Sequence, residues 1–386
     1  MSATVVLVIL TALAFDFTNG FHDTANAMAT SIATGALRPR IAVGLSALLN
    51  LVGAFLSVEV AKTISNGIVD DQLITPAIVF GGLVAAIVWN LVTWLFGLPS
   101  SSSHALIGGL IGATWVAAGG DAVKFGKIVE KVIVPAIASP LIAGLIAGIG
   151  TAVVFAITRG GRPEATARGF RAGQVVSASF VSLAHGTNDA QKTMGVITLT
   201  LISAGELSSN SGPPAWVILS AGVAIAIGTY LGGWRIIRTV GHRLTHVEPQ
   251  QGFAAETSAA TVILVSSHLG YALSTTQVAS GAVVGSGVGR RVRGGVHWNV
   301  VGQMVLAWLL TLPAAGVLGA AAGSIADHGT GGEIIVLALG IAIAAGIFRA
   351  SRRAPVTADN VNVEDTIVPA TPGGAPVGVA ESSGES

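Results

Sequence analysis

Two short stretches inside apolar sequence hold most of the residues able to do chemistry. Gly20 to Met28 reads GFHDTANAM, and Gly186 to Met194 reads GTNDAQKTM, 166 residues later, with Gly, Asp and Met at matching places. An aspartate flanked by side-chain amides and hydroxyls supplies the hard oxygen ligands that suit a small cation such as sodium. Asp23 has Thr24 and Asn26 close by, and Asp189 has Asn188 and Gln191. The copies are not identical, because His22 stands where the second copy has Asn188. An imidazole there can carry a proton near neutral pH or serve as a structural hydrogen-bonding group.

A second pair follows at almost the same offset. Leu98 to Gly109 reads LPSSSSHALIGG and Leu273 to Ala282 reads LSTTQVASGA, so Ser101, Ser102, Ser103 and Gly108 answer Ser274, Thr275, Thr276 and Gly281. Hydroxyl residues just before an apolar stretch cap a helix. The N-terminus of that helix offers unpaired N–H groups and a positive dipole end, which favour phosphate-like ligands. A single run of this kind reads as a cap and no more; two runs approaching from two repeats can hold a tetrahedral oxyanion from both sides. Lys192 either adds a positive charge to that anion site or neutralises Asp189, and the spacing does not choose.

Asp16, Asp23, Glu59, Asp189, Lys192 and Glu256 all lie in or at the ends of apolar segments. A charge at the centre of a bilayer costs about 2.5–3.5 kcal/mol on insertion scales, so each is a functional candidate unless it reaches the interface. Glu59 and Glu256 lie close enough to loops to do so. Asp23 and Asp189 stand apart from the rest because they match between the copies.

The elements that must position these groups are membrane helices. The chain is 52% hydrophobic and only 10% charged, with 51 glycines and no cysteine. Apolar runs recur along most of its length, where a β-barrel would show short alternating segments. Small residues let helix backbones approach closely in lipid. Lack of cysteine excludes disulfides, thiolate metal sites and cysteine nucleophiles. A net charge of +1 with no basic patch gives no reason to expect nucleic acid. Residues 1–14 resemble a signal peptide in Ala12-Leu13-Ala14 but lack a basic leading region, so they read as the first half of a membrane helix.

Apolar segments are expected near residues 4–37, 41–62, 73–96, 104–120 and 132–158. A second set is expected near 173–203, 215–234, 253–272, 276–289 and 298–322, with one more span at 333–349. The short members, 104–120 and 276–289, read as parts of re-entrant hairpins. Segment 4–37 as one straight helix would run about 51 Å, against a hydrocarbon core of about 30 Å, so a break is expected between Asp16 and Asn26. With the Arg38 and Arg40 loop inside, the inner loops collect 15 of the 20 basic residues, including Arg159 to Arg171, Arg235 to Arg243, Arg290 to Arg293 and Arg349 to Arg353. The outer loops hold Lys62, Lys124, Lys127 and Lys131, which places the N-terminus outside and the C-terminus inside. Five segments per repeat is an odd number, so the second repeat enters upside down.

The fold class expected is therefore an all-α polytopic membrane protein of two inverted repeats with broken or re-entrant helices and one further C-terminal span. Repeat A covers 1–158, a basic inner loop 159–172, and repeat B with the final span 173–349. Residues 350–386, acidic beyond Arg353 and rich in Pro, Gly and Ser, read as a disordered cytoplasmic tail.

GFHDTANAM, GTNDAQKTM and WNLVTWLFGLPSSSSHALIGGLIG resemble the signatures of the inorganic phosphate transporter (PiT) family over roughly residues 10–350. The resemblance implies two inverted repeats that bind inorganic phosphate at mid-membrane, symport with sodium or protons, a cell-membrane location, no cofactor and a homodimer. By it, Asp23, Asn26, Asn188 and Asp189 are cation ligands, and metal ligands if the ion is sodium; the residues' own placement adds His22 and Glu256 to the coupling set. Ser101, Ser102, Ser103, Ser274, Thr275 and Thr276 surround the phosphate, with Lys192 as an added contact. His22 in place of Asn resembles the bacterial low-affinity branch, which is associated with proton coupling and transport of neutral metal–phosphate complexes. Gln277, where a His is common, leaves His104 unmatched.

A carrier of sulfate or another oxyanion is the nearest rival. A metal-dependent intramembrane hydrolase using His22, Asp23, His185 and Asp189 is the rival from another class, but two quasi-equivalent half-sites do not make the one asymmetric constellation catalysis needs. A pure channel fits a site closed by broken helices less well than alternating access does.

Overall fold

The computed structural model describes residues 1–67, 73–291 and 295–362. Repeat A consists of α1 Ala3–Ala33, α2 Pro39–Gly53, α3 Glu59–Gly67, α4 Pro76–Leu95, α5 Ser102–Ala118 and α6 Phe125–Thr158. Repeat B consists of α7 Pro163–Ser203, α8 Ala215–Leu231, α9 Trp234–Arg243, α10 Pro249–His268, α11 Thr275–Gly289 and α12 Trp298–Ala326, and α13 Thr330–Ser351 follows. Local chemistry sets the starts. Pro39, Pro76, Pro163 and Pro249 occupy first-turn positions, where the missing N–H is no loss. Ser2, Thr75, Ser101 and Ser274 cap α1, α4, α5 and α11 through their side-chain oxygens.

The two repeats pack by exchange. Helix α1 lies on α8 and, correspondingly, α7 lies on α2; α6 leaves its own repeat to cover α10 and α11, while α12 covers α4 and α5. That reciprocity is what a pseudo-two-fold relation between inverted repeats produces. It places α1 and α7, the carriers of the two Asp motifs, side by side at the centre.

Glycine makes the exchange close. A Cβ on Gly285 of α11 would fall on the backbone of Gly144 in α6, and one on Gly112 of α5 would fall on Gly316 in α12. Such contacts drive association in lipid, where hydrophobicity supplies no net force. Gly285→Val is therefore expected to destabilise the protein by about 1–3 kcal/mol, the ordinary range for overpacking. Gly346→Ala on α13, whose Cβ would meet nothing within 4 Å, is the neutral control. Thermal unfolding in detergent reads the difference.

The outer faces are apolar. On α6, Ile137, Leu141, Leu145, Ile149, Val153 and Ile157 recur every four residues and are exposed, while Ala143, Ala147 and Thr151 on the other side are buried. Among the described residues five helices are long and apolar enough to cross a membrane, and α8 with α9, bent by 61° at Gly232–Gly233, passes the same test only as a pair, as a broken span or a re-entrant loop does. Gly232 has φ +74°, and a side chain on Gly233 would strike the Phe21 carbonyl, so this bend seats α9 against α1.

Several expectations need correction. Helix α1 is continuous over 31 residues, about 46 Å, with no break between Asp16 and Asn26. Hydroxyls bonded back to main-chain carbonyls (Thr18 to Phe15, Thr24 to Gly20) and partners from other helices satisfy part of its polar stretch without unwinding. Segment 41–62 is two helices, α2 and α3, separated at residues 54–58, and 215–234 ends at Leu231 before the bend. The loop expected over 159–172 shrinks to 159–162, because α7 starts at Pro163 with Glu164 in its first turn, where a negative charge meets the helix dipole. At α5 and α11 the helices have 17 and 15 residues, about 26 Å and 23 Å, too short to cross alone, as the hairpin reading requires. The start of the expected disordered tail is folded onto the body: Arg40 pairs with Asp359 at 3.1 Å, Arg238 donates to the Asn360 carbonyl, and Val361 is buried. Arg293 and residues 363–386 lie outside the described residues.

Candidate functional site

The N-termini of α5 and α11 meet α1 and α7 where the two Asp motifs face each other. Ser102 and Thr275, matched by position, each donate to the aspartate of their own repeat: Ser102 Oγ to Asp23 Oδ2 at 2.7 Å, and Thr275 Oγ1 to Asp189 Oδ2 at 2.9 Å. The next hydroxyls cross between repeats. Thr276 Oγ1 donates to Asp23 Oδ1 at 3.2 Å, whereas its counterpart Ser103 donates to the Leu273 carbonyl at 2.9 Å. Ser101 and Ser274 turn inward as caps and accept the N–H of His104 and Gln277. All six hydroxyl residues are buried.

Each aspartate also has a histidine. His22 Nδ1 lies 2.6 Å from Asp23 Oδ1, and His185 Nε2 lies 2.8 Å from Asp189 Oδ2. The histidines come from different places in the motif: Asn19 and His185 match at the 166-residue offset, as do His22 and Asn188, so the two copies hold Asn and His in opposite order. That signal is in the sequence and was missed by reading the motifs only from Gly20 and Gly186 onward. On its far side His22 Nε2 reaches Thr93 Oγ1 at 3.2 Å and Ser100 Oγ at 3.4 Å, and His185 Nδ1 reaches Asn50 Oδ1 at 3.2 Å. Ligand atoms of Asp23, His185 and Asp189 lie within 4.8 Å of one another, so a carboxylate from each repeat meets the other where the repeats join.

The amides of the two motifs carry free oxygens. Asn26 Nδ2 donates to Thr276 at 3.0 Å and Asn188 Nδ2 to Ser267 at 2.9 Å. Their Oδ1 atoms are buried without a hydrogen-bond partner among the described residues. A carboxylate and a neutral amide oxygen in each motif are the donor types a hard cation takes. Gln191, by contrast, is used structurally, accepting the N–H of Val60 and Ala61. Lys192, grouped with the phosphate contacts on sequence grounds, is only 1% exposed and has its ammonium on Asp189 Oδ1.

Glu256 does not snorkel. It is buried, and its carboxylate accepts from Thr30 at 2.7 Å, Ser31 at 2.6 Å, Gln174 at 3.1 Å and Ser177, donors on α1 and α7. A cavity of about 10 Å³, the size of about one water, is lined by Asn26, Thr30 and Glu256 on its polar side, so Glu256 adjoins the first Asp motif. Removing this acceptor in Glu256→Ala strands four buried donors and is expected to cost about 1–3 kcal/mol of stability, read by thermal unfolding. No sequence pattern announced these donors. Glu59 behaves as the interfacial alternative, exposed and paired with Lys62 at 2.7 Å.

Known proteins show the same plan. A profile of the phosphate transporter family matches residues 19–161 and again residues 157–319, one match per repeat. A probable low-affinity inorganic phosphate transporter of Mycobacterium bovis is 59% identical over 362 residues, 93% of this chain and 87% of that protein. One of the same description from Bacillus subtilis is 43% identical, over 82% of this chain and 95% of its own length. A solved structure described as the sodium-dependent phosphate transporter superposes with a TM-score of 0.74 at 24% identity, over 84% of this chain and 99% of that one, which supports the fold. With two matched repeats and relatives this similar across nearly the whole chain, the protein is a multi-pass membrane transporter belonging to the phosphate transporter family.

Proposed function

We propose that this chain imports phosphate by symport with a cation, proton or sodium, and that the two aspartates control the hydroxyls that bind the anion. The observation that carries this reading is that Ser102 and Thr276 donate to Asp23 while Thr275 donates to Asp189. A hydroxyl has one proton to give. While a carboxylate holds it, that proton is not available to phosphate, and the buried negative charge repels the anion. A proton or sodium ion on the aspartate removes the acceptor and the charge together, so the hydroxyls can turn to phosphate beside the helix N-termini. Cation and phosphate then favour each other's binding by the same factor, as linkage requires.

A second reading has its own support. The triad of Asp23, His185 and Asp189 suits a divalent metal that travels with phosphate as a neutral complex. Glu256, adjoining Asn26 through the small cavity, extends the coupling set. We read the chain as a cell-membrane protein, and the excess of basic residues on one side supports an N-terminus outside and a C-terminus in the cytoplasm; the family resemblance implies a homodimer.

Uptake of radiolabelled phosphate into liposomes holding the purified protein tests the reading. It should require a sodium or a proton gradient, and adding a divalent metal separates the second reading from the first. Uptake under protons alone would give His22 the coupling role; uptake needing sodium would make it structural. Uptake indifferent to sodium, pH and metal would refute symport.

A further inference from the structure

We propose that Lys192 is a tethered cation that fills the second half-site, so that an exchangeable sodium ion has room at the first half-site alone. The proposal rests on the coupling role given above to the Asp motifs. Asn26 and Lys192 occupy the same place in the two copies, three residues after Asp23 and Asp189. Their surroundings differ in charge. Asn26 presents a buried, unpartnered Oδ1 beside Asp23, whose own partners are His22, Ser102 and Thr276. No lysine or arginine among the described residues pairs with Asp23.

In the second copy the place of that neutral oxygen is taken by an ammonium. Lys192 is buried to 1% exposure, and its Nζ rests on Asp189 Oδ1. A lysine ammonium is a compact point charge with three donors, the side chain that can meet a carboxylate much as a bound sodium does. Asp189 is itself fully buried, so taking the ammonium away would leave its charge without that partner. A second free cation beside it would meet like charge in a place where screening is weak. The duplicated motifs are therefore unequal partners: the first half-site exchanges its cation with each cycle and the second carries its own.

The test is sodium-22 binding to purified protein in the presence of phosphate, counted per chain at saturation. Wild type is expected to bind at most one sodium ion. Lys192→Asn is expected to bind one more than wild type, and the increment should vanish when Asp189→Asn is added. Two sodium ions on wild type, or no increment in folded Lys192→Asn, would overturn the proposal. Should Lys192→Asn fail to fold, the wild-type count decides alone. Symport itself fails on a different result, phosphate uptake indifferent to sodium and pH, whatever the sodium count.

Discussion

Asp23→Asn is expected to abolish concentrative phosphate uptake while sparing phosphate exchange. The asparagine keeps the size of the side chain and one acceptor oxygen for Ser102 or Thr276, so the protein should fold. It cannot take up a proton and offers sodium no negative charge, and its permanent neutrality leaves the hydroxyls free of carboxylate control. Net uptake driven by a cation gradient should fall about 100-fold, toward the upper end of ordinary coupling energies. Counterflow, in which unlabelled phosphate leaving the vesicle draws labelled phosphate in, needs no net cation movement and should persist. Asp189→Asn should also lose coupled uptake, with a heavier cost in stability because it strands the Lys192 ammonium. Normal uptake in both variants would remove these residues from the mechanism.

Thr276→Val should weaken phosphate binding by about 10- to 100-fold, the equivalent of one hydrogen bond to a charged ligand at about 1.5–3 kcal/mol. Valine preserves the shape and removes the hydroxyl that now bridges Asn26 and Asp23. Ser102→Ala belongs to the same class. Ser103→Ala should cost less, because that hydroxyl is given to the Leu273 carbonyl and to neither aspartate. Equilibrium binding of radiolabelled phosphate at saturating cation orders the three. Equal losses for Thr276 and Ser103 would mean that the link to the carboxylates plays no part in binding.

Much of this site was legible in the sequence because duplication makes weak signals mutually supporting. Asp23 with Asp189, and Ser101 to Ser103 with Ser274 to Thr276, are each short polar runs that alone would read as caps or chance. Their repetition at nearly one offset gave both the duplicated architecture and the two ligand classes, and the odd number of segments per repeat gave the inversion. What sequence could not supply was the partner of each group. The hydroxyls were read as facing an anion, yet three of them point at the aspartates. That pairing depends on how α5 and α11 tilt onto α1 and α7, which no local pattern records.

Two further misreadings have physical causes. Length alone argued that α1 must break, but length counts only for a helix surrounded by lipid. Much of α1 is buried among α4, α7 and α8, and its polar residues meet side chains rather than hydrocarbon. Glu256 looked able to reach the interface because it lies near a loop in sequence. Its four donors come from Thr30, Ser31, Gln174 and Ser177, more than 70 positions away along the chain, and only the packed structure assembles them.

The most direct test of the central claim is the phosphate affinity of purified wild-type protein, measured by calorimetry across sodium concentration and pH. If the aspartates hold the phosphate hydroxyls until a cation releases them, affinity should rise at least about fivefold on adding sodium or lowering pH, the lower end of ordinary coupling. The same factor should appear in cation binding when phosphate is added. An affinity that stays flat across both would contradict the account.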